Sequence, residues 1–142
     1  MRIEEIGYEQ LKKAIYAAFD GDEKIFQLYD PNAAVYNLLE LTEDIYAKIR
    51  TYPDAVLFGV YEKEELVGYV AMQDGLLISF SLSVKYRVRK FLKEFWSLIR
   101  SHLRGTFYCH LWSRNIRAVK WLRKMGMVIV DSNPLITKLK FK

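Results

Sequence analysis

Residues 55–84 read AVLFGVYEKEELVGYVAMQDGLLISFSLSV, and no other stretch of the chain constrains its architecture as tightly. β-Branched and aromatic residues fill Ala55 to Tyr61 and Leu66 to Met72, with Glu62-Lys63-Glu64-Glu65 between them, which is the pattern of an antiparallel hairpin. Asp74-Gly75 supplies the next turn. In the run that follows, Ile78, Phe80, Leu82 and Val84 alternate with Ser79, Ser81 and Ser83. This alternation predicts a third strand with one apolar face and one small, hydroxylic face.

Upstream, Arg2 to Ile6 reads as a short edge strand, and Tyr8 to Phe19 as a helix because Leu11, Ile15 and Phe19 recur at a spacing of four, stopped by Asp20-Gly21-Asp22. A second helix is expected from Asp30 as N-cap and Pro31 at its first position, with Val35, Leu38, Leu39, Ile45, Tyr46 and Ile49 as its stripe, ending before Tyr52-Pro53. Downstream, Tyr86 to Arg104 reads as a helix with Val88, Phe91, Leu92, Phe95, Leu98, Ile99 and Leu103 inward and Arg89, Lys93, Arg100 and Arg104 outward, closed by Gly105. Then come a strand, TFYCHLW, and a helix opened by Asn115, carrying Ile116, Val119, Leu122 and Met125 inward and closed by Gly126. Met127 to Val130, a turn at Asp131-Ser132-Asn133-Pro134 and ITKLKFK complete the order β-α-α-β-β-β-α-β-α-β-β. That order predicts an α/β (α+β) fold, a single domain over residues 1–142 with a central mixed β-sheet flanked by helices.

Composition agrees with a packed domain: 51% of the 142 residues are hydrophobic and 15% aromatic. No apolar run approaches the roughly 20 residues needed to span a bilayer, and MRIEEIGYEQ lacks a basic-then-apolar leader, so no membrane partner and a cytoplasmic location are expected. Cys109 is alone and only two histidines accompany it, a set that fits no zinc spacing, so no metal is expected. Charge is divided unevenly. Positions 1–84 hold 7 basic and 15 acidic residues, a net of −8, and positions 85–142 hold 15 basic and 2 acidic, a net of +13. The basic half either steers an anionic partner, such as a phosphate-bearing cofactor, nucleic acid or an acidic protein surface, or is a solvated face. Helix N-termini bind anions, and Lys85, Arg87, Arg89 and Lys90 add positive charge where the Tyr86 helix opens.

The element order from Ala55 to Met127, and the stretch Asn115-Ile116-Arg117-Ala118-Val119-Lys120-Trp121-Leu122-Arg123-Lys124-Met125-Gly126-Met127, resemble the GNAT (N-acetyltransferase) superfamily, whose later helix opens N-x-x-A and closes on G-F. The resemblance implies an acyl-CoA N-acyltransferase that uses acetyl-CoA and an amine substrate. It implies that the strand before the long helix splays from its neighbour and offers backbone groups to the pantetheine arm, and that the loop R/Q-x-x-G-x-G/A cradles the pyrophosphate. The cofactor set so implied is Leu82, Val84, Arg87, Arg89, Lys90 and Asn115. Within Arg87-Val88-Arg89-Lys90-Phe91-Leu92 the arginine is kept, but Lys90 and Leu92 stand where glycines are expected, so the site is degenerate.

Two catalytic roles of that family lack their usual residue. The glutamate often found on the third strand is replaced by Ser79, Ser81 and Ser83, and the tyrosine that protonates the leaving thiolate falls at Leu122. His110, with Tyr108 or Cys109 beside it, is the substitute the sequence offers as a catalytic group, against a packed, hydrogen-bonded role. Asn115 reads first as a helix cap and the tryptophans first as core, with stacking surfaces for bases as the alternative. The RNIRAVKWLRKMGM ending is similar to divergent GNAT-like proteins of tailed bacteriophages, some tied to head assembly, in which case the chain would act in the host cytoplasm or virion. The competing class is therefore a binding or assembly protein that keeps the fold without the chemistry.

Overall fold

The computed structural model describes residues 1–19 and 37–142. β1 (Arg2–Glu5) leads to α1 (Tyr8–Ala18) and α2 (Leu38–Arg50), followed by β2 (Val56–Glu62), β3 (Glu65–Gln73) and β4 (Leu76–Leu82). A 3-10 turn (Val84–Tyr86), α3 (Arg89–His102), β5 (Phe107–Trp112), α4 (Ile116–Lys124), β6 (Val128–Ser132) and β7 (Ile136–Phe141) complete the chain. The strands form one seven-stranded sheet in the order β1-β2-β3-β4-β5-β7-β6. All neighbours are antiparallel except β4 and β5. The mixed sheet expected from the element order is thus present, with the β2–β3 hairpin second and third from one edge and β4 at its centre.

Helices cover the two faces separately. α1 and α2 pack Leu11, Ile15 and Ile49 against Leu57, Tyr69, Ala71 and Ile78. α3 and α4 bury Phe95, Trp96, Ile99 and Leu122 against Val70, Leu77, Leu82, Phe107 and Leu139 on the opposite face. Each such side chain removed from water contributes about 1.5–3 kcal/mol. Trp96 and Trp121 are part of this core, with the Phe95 ring parallel to Trp121 at 6.0 Å and Trp96 edge-on to Trp121 at 5.8 Å, whereas Trp112, also expected to be core, is exposed.

Several expectations about boundaries and faces change, among them Val88 and Ile116, expected inward but exposed at the starts of their helices. Ile78 does not share a face with Phe80 and Leu82. Ala71 pairs with Ser79 and Met72 with Leu77, so Ile78 is an extra residue in a bulge, and its side chain joins the α1/α2 core while Leu77 and Leu82 join the α3/α4 core. The helix expected from Tyr86 begins at Arg89, because the chain first makes the 3-10 turn and then an extended Val88 (φ −118°, ψ 159°). β6 runs to Ser132, through two residues assigned to a turn. The Asp20-Gly21-Asp22 stop, the Asp30 cap, Pro31 and Val35 lie outside the described residues; α2 as described is capped by Asn37, whose side chain accepts the Glu40 N–H at 2.8 Å.

Candidate functional site

β4 and β5 pair only at Leu76 with Tyr108 and Leu77 with Cys109. Beyond these, β4 stays with β3 up to Leu82 opposite Gly68, while β5 stays with β7 up to Trp112 opposite Ile136. Two strands that part this way leave a wedge in the sheet. A cavity of about 630 Å³ occupies it, lined from the α1/α2 side by Asp44, Lys48, Tyr69, Ser79 and His110 and from the α3/α4 side by Phe80, Leu92, Phe95, Leu111 and Trp121. The Ser83 N–H donates to Val67 O at 2.7 Å, toward β3. Strand alternation then turns the backbone groups of Leu82 and Phe80 the other way, into the wedge.

Polar groups collect at the narrow end. The Tyr69 hydroxyl and Ser79 Oγ are 2.8 Å apart, and burial pushes the Tyr69 phenol up to about 12. α2 places Asp44 and Lys48 one turn apart along the same wall, and Lys48 Nζ donates to Ile78 O at 3.5 Å. Lys48 stands in the open cavity, so water reaches it, yet enough protein surrounds it that desolvation holds its pKa below the usual lysine value. His110 faces the same space. Desolvation, then the positive charges of Lys138 and Lys48, lower its pKa from 6.5, so at neutral pH it is the uncharged imidazole, able to accept a proton. Cys109 and Tyr108, offered beside His110, do not line the cavity: Cys109 is buried in the α3/α4 core with its thiol pushed up to about 12, and Lys140 Nζ lies 5.8 Å from the Tyr108 ring.

At the wide end Leu82, Arg87 and Leu92 line the cavity, while Val84, Arg89 and Lys90, expected with them, stand outside its lining. Val84 is 48% exposed, Leu82 is buried, and the Leu82 carbonyl accepts from Arg87 Nε at 2.8 Å. Arg87 Nη2 also donates to Ala18 O at 2.7 Å, so this guanidinium ties the end of β4 to the end of α1 while lining the cavity. Arg89 and Lys90 are exposed in the first turn of α3, which holds no acidic residue and whose Val88 N-cap supplies no side-chain acceptor. The first intrahelical bond there is Leu92 N–H to Val88 O, which leaves the N–H groups of Arg89, Lys90 and Phe91 pointing out of the helix end. Lys85 is drawn away from this group by Glu65, at 3.0 Å. Asn115 has both roles open to it in the sequence, since its Oδ1 caps the Ala118 N–H at 3.3 Å and the residue lines the cavity. Leu122 is fully buried and lies off the cavity; its neighbour Trp121 faces it. Asp44 and Lys48 were not anticipated from the sequence, where α2 is read for its apolar stripe alone. Their i, i+4 spacing is the signal that marks them.

No protein-family model matches the chain. No curated protein sequence matches it either. Solved structures do, in 184 chains. An acetyltransferase from Thermus thermophilus superposes with a TM-score of 0.75 at 16% identity over 99% of this chain and 97% of its own. A GNAT-family acetyltransferase from Streptococcus agalactiae 2603 gives 0.72 at 13% identity over 98% and 93%. The PaiA N-acetyltransferase from Thermoplasma acidophilum, solved with coenzyme A, gives 0.65 at 14% identity over 99% and 98%. The fold is that of the GNAT acetyltransferases over almost the whole chain. No helix among the described residues is long and apolar enough to cross a membrane.

Proposed function

We propose that the chain is an acyl-CoA N-acyltransferase, with acetyl-CoA as acyl donor and an amine as acceptor. The observation that carries this reading is the wedge between β4 and β5, where main-chain groups of Phe80 and Leu82 face a 630 Å³ cavity beside the uncapped start of α3. These features fit a long, hydrogen-bonding, phosphate-bearing thioester. The Phe80 and Leu82 backbone would hold its amide arm, and Arg89, Lys90 and the three outward N–H groups of α3 would hold its phosphates. Val84 and Asn115 would flank the arm. Arg87 contributes by fixing the end of β4, since its guanidinium is bound to main-chain carbonyls. Lys90 and Leu92, where the fold family has glycine, favour phosphate contacts from side chains over close backbone approach.

Acetyl-CoA supplies an electrophilic thioester carbonyl. The amine nitrogen forms the new C–N bond as the C–S bond breaks, the amine proton passes to a base and the thiol leaves with a proton from solvent or a nearby donor. His110, neutral at pH 7, is the base we assign, with Asp44 across the cavity as a second acceptor. Most of the acceleration would come from holding amine and thioester together in the wedge, with backbone N–H groups of β4 aimed at the developing oxyanion.

Millimolar acetyl-CoA should raise the melting temperature, since a ligand bound only by the folded state stabilises it. The double substitution Arg89→Glu and Lys90→Glu should abolish that shift while leaving Arg87 in its bridging position. No shift together with no calorimetric heat at low salt would remove the enzyme reading and leave an assembly or binding role for the fold.

A further inference from the structure

Lys48 and Asp44 are the two charged groups that α2 turns toward the cavity, and neither forms an ion pair among the described residues. Four residues apart on one helix face, they are spaced to pair with each other, and they do not. Lys48 Nζ reaches across instead to Ile78 O, at a long 3.5 Å. Ile78 is the bulged residue directly after the last β4–β5 pair, so the ammonium stands at the apex of the wedge, where the strands separate and the reacting groups must meet. A cation and an anion on one wall, each without an ion-pair partner among the described residues, complement a molecule that carries both charges.

We propose that the acceptor is a zwitterionic amino compound, an amine with a carboxylate a few bonds away, whose carboxylate binds the Lys48 ammonium and whose amine lies toward Asp44. This rests on the acyltransferase reading and adds the class of acceptor. A polyamine fits these charges less well, because an ammonium near the apex would meet the Lys48 charge, and Lys138 adds to the positive potential at His110. A phosphate dianion is disfavoured relative to a carboxylate, since one ammonium must neutralise it in the presence of Asp44. The Tyr69 and Ser79 hydroxyls are hydrogen-bonded to each other beside the apex, which leaves one of the two O–H groups as a further donor to the carboxylate.

The test uses matched pairs that differ only in the anionic group. N-acetylglycine and N-acetylglycinamide, as product analogues, are titrated calorimetrically into the full chain. Glycine, alanine, glutamate and phenylalanine are compared with their amides, and with spermidine and 2-aminoethyl phosphate, as acceptors from acetyl-CoA. The carboxylate member of each pair should win by at least about tenfold in affinity or kcat/KM, the worth of one charge-assisted hydrogen bond. Lys48→Met should erase the preference through KM, and Lys48→Arg should restore most of it. Equal behaviour of acid and amide, including no binding by either, overturns the proposal, as does a preference untouched by Lys48→Met. Preferred acetylation of spermidine overturns it while leaving the acyltransferase reading intact, and 2-aminoethyl phosphate as the best acceptor replaces carboxylate by phosphate. Binding of N-acetylglycine that depends on Lys48, in a protein that binds no acetyl-CoA, keeps the anion site and removes the acyltransferase reading.

Discussion

Gly68 lies on β3 opposite Leu82, the last residue of β4, with the Ser83 N–H to Val67 O bond just beyond. A Cβ added there would stand 2.3 Å from Ser81 O, 2.8 Å from Leu82 Cδ2 and 3.1 Å from Leu82 Cα. The Leu82 methyl can rotate away, but Ser81 O is main chain, and carbon and carbonyl oxygen settle at about 3.3 Å or more. β3 and β4 must therefore part by about 1 Å to admit the methyl group. β3 is held on both sides, whereas β4 has no neighbour on its other edge after Leu77, so the displacement falls on β4 and moves it into the wedge. Overpacking of this kind costs about 1–3 kcal/mol. At about 3 °C per kcal/mol for a chain of this size, Gly68→Ala should melt about 3–9 °C below the parent by scanning calorimetry. Because Arg87 Nε is bonded to Leu82 O, the same movement reaches the mouth of the cavity, and the further stabilisation from millimolar acetyl-CoA should shrink in the variant. A melting temperature within about 1 °C of the parent, as for an ordinary surface change, would refute this account of β4.

Gly126 ends α4 with φ at +108°, and an added Cβ would lie 3.2 Å from Phe141 Cε1, so Gly126→Ala should cost about 1–3 kcal/mol in urea denaturation. Asn115→Ala should cost about 0.5–2 kcal/mol through loss of the Ala118 cap, and Asn115→Asp should recover most of it. Cys109, fully buried with its thiol pushed up to about 12, should resist Ellman's reagent at about pH 8 in the native protein and react at once in denaturant. His110 has a folded-state pKa below its ordinary 6.5, so the unfolded chain binds more protons in that window. Its contribution to stability should therefore rise with pH through the window and level off above about 6.5, a slope that His110→Asn removes from denaturation curves taken at several pH values.

Strand alternation and the turn residues made the sheet legible, because burial on one face imposes a period of two and Asp74-Gly75 can only be a turn. Asn115 and Gly126 marked α4 correctly at both ends, since an N-cap and a positive-φ terminus each demand a particular residue. A bulge leaves no such mark. Ile78 fits the apolar pattern equally well on either face, and only the pairing of Ala71 with Ser79 and Met72 with Leu77 decides. Arg87 shows the same limit for the site. Its place in the motif was readable, but its binding of Leu82 O and Ala18 O depends on α1 ending beside β4, a contact between residues far apart in the chain. Asp44 and Lys48 were overlooked for a related reason: charged residues on a helix normally face solvent, and only the wedge beneath α2 gives that face something to enclose.

With only two residue pairs joining β4 to β5, the hydrogen-bonded sheet is in effect two ribbons, β1 to β4 and β5 to β6, sharing a short seam. Cohesion across that seam rests on side chains: Phe95, Trp96 and Trp121 from the helices lie over both ribbons and clamp them from one side. Such a join resists separation at its closed end and yields at its open end, so thermal motion should pivot the ribbons about Leu77 and Cys109. A molecule lodged in the wedge and bonded to both ribbons would act as a third fastener, and amide exchange along Ser79 to Leu82 should slow on loading more than anywhere else in the sheet.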